Sequence, residues 1–317
     1  MKRALLIGID EYDDFDPLAG CEDDVARLHP LLSRNEDDSP NFTCRVLTRG
    51  VAPVTRRRIL QELDALFAPG ADVALLYFAG HGWADQKDVV LVSEDGDESD
   101  PGVPASEIFK KIAASKVGEV IVILDCCFAG AAGAVPQLLG DVSALRLGTC
   151  LLAASRHDQP VEEASAGRGV FSAYLAGALE GGAADVIGEV SLAGIFAYLS
   201  QSFGAWDQKP MCKMNVDRSN ELRRCAPSVP LPELRRLPDI FPDPELDLPL
   251  DPSYEPTAEP EHPAHEADFA TLQRYRASKL VNPVGAEHLY FAAMQNGACR
   301  LTPLGKHYWR MAVAGRI

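Results

Sequence analysis

From the first residue onward, short apolar runs alternate with amphipathic segments. "RALLIGID" (3–10) has the unbroken hydrophobicity of a strand covered on both faces, and "CEDDVARLHPLLSR" (21–34) repeats its apolar positions with helical spacing. The alternation continues with a strand at "FTCRVLTRG" (42–50), a helix at "TRRRILQELDALFA" (55–68) capped by Thr55, and a strand at "DVALLYFAG" (72–80). After a polar excursion come the helix "SEIFKKIAAS" (106–115), the strands "EVIVILD" (119–125) and "TCLLAAS" (149–155), and helices near 169–181 and 191–204. Such strand–helix–strand units build a mostly parallel central sheet flanked by helices, so the pattern predicts a three-layer α/β domain over residues 1–225.

The pattern changes at residue 226. Residues 226–268 hold 11 of the 23 prolines, and a segment so rich in a residue that lacks the backbone N–H is expected to be an extended tether. Residues 269–317 return to helical periodicity in "ATLQRYRASKL", "GAEHLYFAAMQNG" and "CRLTPLGKHYWRMAVAGRI", the last opened by Thr302 and Pro303. Their outline is that of a small helical or winged-helix-like module. Charge sharpens the division: the net −16 splits into −13 over 1–225, −9 over 226–268 and +6 over 269–317. A basic module permits contact with nucleic acid, but a few Lys and Arg spread over a small helical surface, beside an acidic tether, favour a protein partner and a regulatory role.

The remaining composition is that of an ordinary globular chain, 47% hydrophobic and 24% charged. Eight cysteines without a CxxC pair argue against structural zinc and fit a reducing compartment. The apolar stretch after "MKR" is too short for a signal peptide, and no run approaches membrane-spanning length, so a cytoplasmic protein without membrane contact is expected.

In parallel sheets, reactive groups gather at the carboxyl ends of the strands. Two strands here end in such groups: "LLYFAGHG" delivers His81, and "VILDCCFAG" delivers Asp125, Cys126 and Cys127. A free thiol is only a few per cent ionised at neutral pH and needs an adjacent imidazole. His81 is placed for this, between two glycines at a strand end, whereas His29 lies inside a helix before Pro30 and His157 lies in a loop. If the two strands are neighbours, a base and a nucleophile meet at one rim.

"YFAGHG" and "DCCFAG" resemble the His-Gly and Asp-x-Cys-x-x-Gly motifs of the caspase-like cysteine peptidases, in particular the metacaspase-type and bacterial members. "LLIGIDEYDDFDPLAGCEDDVARL" is similar to their first strand and helix. "AASRHDQPVEEASAGRGVFSAYLAGAL" and "FGAWDQKP" are similar to their small-subunit half, so the resemblance covers about residues 3–216. It implies the caspase-like fold and a Cys–His dyad in which Cys127, three residues before the motif glycine, is the nucleophile and His81 its partner. The N–H groups of Gly82 and Cys127 would receive the oxyanion. No cofactor is required.

The resemblance also maps Asp24 and Asp125 onto the first specificity pocket, with the register between Asp23 and Asp24 open. Two carboxylates in one pocket suit a guanidinium or ammonium, so cleavage after Arg or Lys is expected. Asp158, Glu162 and Glu163 would extend an acidic rim, and Trp206 and Gln208 would wall the cleft. The acid-rich "SEDGDESDPG" (93–102) is of the kind that binds calcium in some metacaspases, but its spacing does not fit an EF-hand loop and it reads as a solvated turn. An enzyme of this selectivity could cut itself at Arg223–Arg224 or Arg235–Arg236. The resemblance further implies a regulated effector in a bacterial stress or defence pathway. Two other readings stand beside it: an inactive scaffold of the same fold that grips basic segments, and a nucleic-acid-responsive regulator acting through the C-terminal module.

Overall fold

The computed structural model describes residues 1–84, 88–126, 128–129, 145–154, 170–204, 210–217 and 220–317. They form two compact units, Met1–Ala184 with Glu189–Cys225, and Asp185–Gly188 with Ala226–Ile317.

Unit 1 opens with β1 (Lys2–Gly8), α1 (Cys21–Ser33), β2 (Phe42–Leu47), α2 (Arg56–Leu66) and β3 (Val73–Ala79). Thr55 caps α2 as expected, its hydroxyl accepting from the Arg58 N–H. Three short strands follow, β4 (Gly82–Ala84), β5 (Val89–Val92) and β6 (Gly102–Pro104), then α3 (Ala105–Ala114), β7 (Glu119–Asp125), β8 (Phe128–Ala129) and β9 (Thr149–Ala153). The unit closes with α4 (Val170–Gly177), a π-helical turn, β10 (Glu189–Ser191), α5 (Leu192–Ser202), β11 (Met211–Asn215) and β12 (Glu221–Arg224).

The central sheet runs β11-β9-β7-β3-β1-β2, parallel throughout except for β11. Because side chains alternate across a strand, Leu76 and Phe78 of β3 enter the apolar core on one face of the sheet and Leu75 and Tyr77 the core on the other. This double cover is why the strands read as continuous apolar runs. The polar excursion contains more than a loop: β6-β5-β4-β8 form a second sheet beside the strand ends. Strands of two to four residues carry too little periodicity to be seen in sequence.

Unit 2 corrects the expected tether over 226–268. Its elements are α6 (Leu231–Leu234), α7 (Leu237–Ile240), β13 (Leu248–Pro249), α8 (Pro263–Ala277), β14 (Val281–Val284), α9 (Leu289–Met294), β15 (Ala298–Leu301) and α10 (Pro303–Val313). Leu234, Leu237, Phe241 and Leu250 are buried in one core with Leu272, Tyr275 and Leu301. The prolines permit this because they sit where a missing N–H costs nothing: in the first turn of α6, α7 and α8, and on the edge strand β13.

The opposed charges of the two segments also meet within this unit. Arg274 pairs with Glu233, Arg300 with Asp247 and Lys306 with Glu245, so part of the +6 is neutralised locally. Each such surface pair contributes under about 1 kcal/mol.

Of the four arginines expected as self-cleavage positions, Arg224 and Arg235 are exposed and the other two are held in place. Arg223 is buried in β12 and donates to the carbonyls of Leu179 at 2.7 Å and Arg34 at 3.2 Å, while Arg236 pairs with Asp268 at 2.5 Å.

Candidate active site

β3 and β7 are adjacent parallel strands, with Ala79 opposite Asp125 and the Gly80 N–H donating to the Asp125 carbonyl at 3.3 Å. Just beyond, Gly82 of β4 stands opposite Phe128 of β8. The two motif-bearing strand ends therefore run side by side into a second pair of adjacent strands. His81 lies on one side of this seam. Cys127 lies outside the described residues, between Cys126 and Phe128 in sequence. Cys126 is buried in the core cluster with Leu124 and Phe78.

The imidazole is held from the loop between β1 and α1. His81 Nε2 is 2.8 Å from the Asp16 carbonyl oxygen, and because a carbonyl only accepts, Nε2 carries the proton and Nδ1 is left as the basic nitrogen. The Tyr12 hydroxyl accepts from the His81 backbone N–H at 2.8 Å and donates to the Ile9 carbonyl at 3.1 Å. Its ring lies 4.8 Å from the imidazole, and burial raises the phenol pKa far above its ordinary value. Gly80 is required by this approach: a Cβ there would stand 2.7 Å from the Tyr12 oxygen.

On the α1 side of the rim is a group of carboxylates. Asp10, just past β1, accepts from the Cys21 N–H at 2.9 Å and the Glu22 N–H at 3.2 Å, holding the first turn of α1. Asp24 of that helix is buried, and burial raises its pKa; Arg27, one turn on, opposes the rise without forming an ion pair. Asp23 is exposed, so of the two register choices it is Asp24 that faces inward. Burial, with the charge of Asp24 beside it, pushes Asp125 up to about 6, against a hydrogen bond donated by Ser172 at 2.5 Å that lowers it. Because Ser172 spends its proton on Asp125, the Tyr77 hydroxyl, 2.6 Å away, is the donor to Ser172. Among the described residues, neither Asp24 nor Asp125 lies within ion-pair distance of a cationic side chain.

The Caspase domain family profile matches residues 1–293. The chain belongs to the caspase-domain family. Caspase-domain proteins are cysteine peptidases acting on protein substrates, and the architecture here is the family's α/β fold. The chain is 32% identical over 148 residues to Metacaspase-1 of Plasmodium falciparum, covering 41% of this chain and 24% of that protein. It is 33% identical over 105 residues to Metacaspase-7 of Arabidopsis thaliana, covering 32% and 25% respectively. The matches thus span about a quarter of the length of these relatives. Protein GSU0716 from Geobacter sulfurreducens has a similar fold, with TM-score 0.51 and 16% identity, over 71% of this chain and 97% of its own.

For this caspase-domain chain, Asp24, Asp125, His81 and Gly82 lie at one sheet rim. Trp206, Gln208, Asp158, Glu162 and Glu163 lie outside the described residues. The expected solvated turn at 93–102 holds for Asp97, which accepts from the N–H groups of Ser99 and Asp100, but Glu94 is buried and accepts from the Val54 N–H at 2.8 Å, and Asp95 accepts from the Arg56 N–H at 2.8 Å and the Ser93 hydroxyl at 2.7 Å. Among the described residues no helix is long and apolar enough to cross a membrane.

Four contributors escaped the sequence reading. Asp10 carries the same signal as Asp125, an acid at a strand end. A serine in the apolar run "VFSAYLAG" hints at Ser172. Tyr12 and the carbonyl of Asp16 leave no signal, because a loop's path is not written in its residue types.

Proposed function

We propose that this chain is a cysteine endopeptidase that cleaves after Arg or Lys through Cys127 and His81. The observation that carries the reading is the seam itself: an imidazole with its Nε2–H spent on the Asp16 carbonyl stands at the same rim as buried Asp24 and half-buried Asp125, neither of which has an ion-pair partner among the described residues. In the proposed reaction Nδ1 of His81 takes the Cys127 proton, and the thiolate sulfur bonds to the scissile carbonyl carbon. The oxyanion is met by the N–H groups of Gly82 and Cys127. As the C–N bond breaks, the proton passes from Nδ1 to the leaving amine. Water, deprotonated by the same nitrogen, then hydrolyses the thioester and restores the thiol. Asp24 and Asp125 receive the basic side chain before the scissile bond.

A reducing, cytoplasmic setting suits this nucleophile and the seven free cysteines among the described residues. The regulated stress or defence role rests on the resemblance. For unit 2 we favour a protein partner: Tyr290, Phe291 and Met294 of α9 are exposed, and part of the local basic charge is already paired.

The test is alkylation and turnover on the full chain. Iodoacetamide should label Cys127 much faster than Cys126, and His81→Ala should slow labelling and abolish cleavage of Arg peptides. Equal slow labelling of both thiols, without turnover, favours the inactive scaffold instead.

A further inference from the structure

The acidic pocket accounts for one side of a scissile bond. The other side faces a different surface. Trp83, two residues after His81 on β4, is 41% exposed, and it is the one exposed aromatic side chain among the described residues of unit 1. Its ring meets Phe15 edge-on, with centroids 6.1 Å apart. Phe15 in turn lies 6.2 Å from the His81 ring and 6.3 Å from Tyr12. The shelf made by Phe15 and Trp83 thus continues directly from the imidazole.

This shelf is fixed before any substrate arrives. Phe15 precedes Asp16, whose carbonyl takes the His81 Nε2–H, and the Asp13 N–H donates to the Glu94 carbonyl at 2.9 Å. Trp83 is set in the second sheet opposite Val90 and Ala129. A rigid aromatic surface held open to water loses little entropy on meeting a ligand and gains the apolar area it covers.

Resting on the peptidase reading above, we propose that Trp83 and Phe15 receive the side chain of the residue that follows the scissile bond, and that they select a large apolar one. The direction comes from proton bookkeeping. The acyl carbon stays on the Cys127 sulfur, and the amine leaves with the proton from His81, so the residue carrying that amine is the one that passes beside the imidazole. A basic residue before the bond and an aromatic or branched aliphatic residue after it then meet surfaces of matching chemistry, carboxylates on one side and rings on the other.

Internally quenched peptides that share one sequence up to an arginine and differ only in the next residue (Phe, Leu, Ala, Asp or Arg) test this with wild type, Trp83→Ala and Trp83→Phe. Each kcat/KM is divided by that of the Ala peptide in the same enzyme, so any general loss of folded protein cancels. The Phe and Leu peptides should be cleaved about ten-fold better than the Ala peptide by wild type. That ratio should fall to near one in Trp83→Ala and largely return in Trp83→Phe. A flat wild-type series, a preference for Asp or Arg over Phe, or a ratio that survives Trp83→Ala overturns the shelf, while turnover of the Ala peptide leaves the peptidase reading standing. No turnover of any peptide overturns both.

Discussion

Two acid-rich stretches of unit 1 look alike in sequence and behave in opposite ways in the fold. "CEDD" places Asp24 in a buried position near Asp125, where removal from water raises the pKa of both carboxyls. "SEDGDESD" keeps Asp97 fully at the surface, where hydrogen bonds from Ser99 and Asp100 hold its carboxyl below the ordinary range. Among the described residues the first pair has no cation within ion-pair distance, the feature on which the proposed recognition of a basic side chain rests. In the second the acceptors are already taken: those of Asp97 by its own turn, those of Glu94 and Asp95 by the N–H groups of Val54 and Arg56, while Arg56 also pairs with Asp100 at 3.4 Å. What distinguishes a recognition site from a solvated turn is therefore burial without internal compensation, not the density of acids.

The largest effects that sharpen this contrast are on substrate use. Asp125→Asn should lower kcat/KM for an Arg peptide by on the order of 10²–10³-fold, as for truncating one partner of a buried charge pair, and Asp24→Asn should act in the same direction. Asp97→Asn should leave it within about two-fold. Equal effects at both places, measured on one fluorogenic Arg peptide, would erase the distinction.

Next in size is stability. Asp125 titrates near 6 in the folded chain against an ordinary 3.8, so the native state binds this proton more tightly than the unfolded state. The group therefore destabilises the fold fully above pH 6, and the penalty fades as pH falls from 6 towards 4. Two units correspond to at most about 3 kcal/mol, less because the carboxyl keeps some surface. Asp125→Asn should accordingly raise Tm at pH 7.5, with the gain vanishing near pH 4. For Asp97, whose carboxyl is held low, Asn should lower stability slightly at neutral pH and have no effect in acid. Calorimetry at both pH values reads the two signs.

A smaller effect concerns the rise of activity with pH. Cleavage of Arg peptides should increase as pH rises through about 6, where Asp125 gains its charge. Ser172→Ala removes the hydrogen bond that lowers this pKa, so its rise should move to higher pH. A kcat/KM profile unchanged in position would show that Ser172 only fills space.

Much of this site was legible because strand ends are legible. "ALLYFAG" and "EVIVILD" announce buried strands, and whatever follows them lies at a rim, which located His81 and Asp125. Choosing Asp24 over Asp23 needed the helix phase, which is set where α1 starts, after the left-handed Gly20. Ser172 arrives from α4, 47 positions after its partner Asp125, and no local pattern encodes such a meeting. The proline-rich stretch misled for a different reason: proline density forbids long helices, yet one-turn helices that begin on proline, with Leu234 and Leu237 turned inward, still fill a core. Limited proteolysis should accordingly find 226–268 as resistant as the helices around it; rapid cutting throughout that stretch would restore the tether.

The most direct test is a cleavage-site profile of a random peptide library by the wild-type chain beside Cys127→Ala. We expect cuts after Arg and Lys that vanish entirely in the variant. Cuts after Asp or Glu, or a profile shared by wild type and Cys127→Ala, would contradict the account.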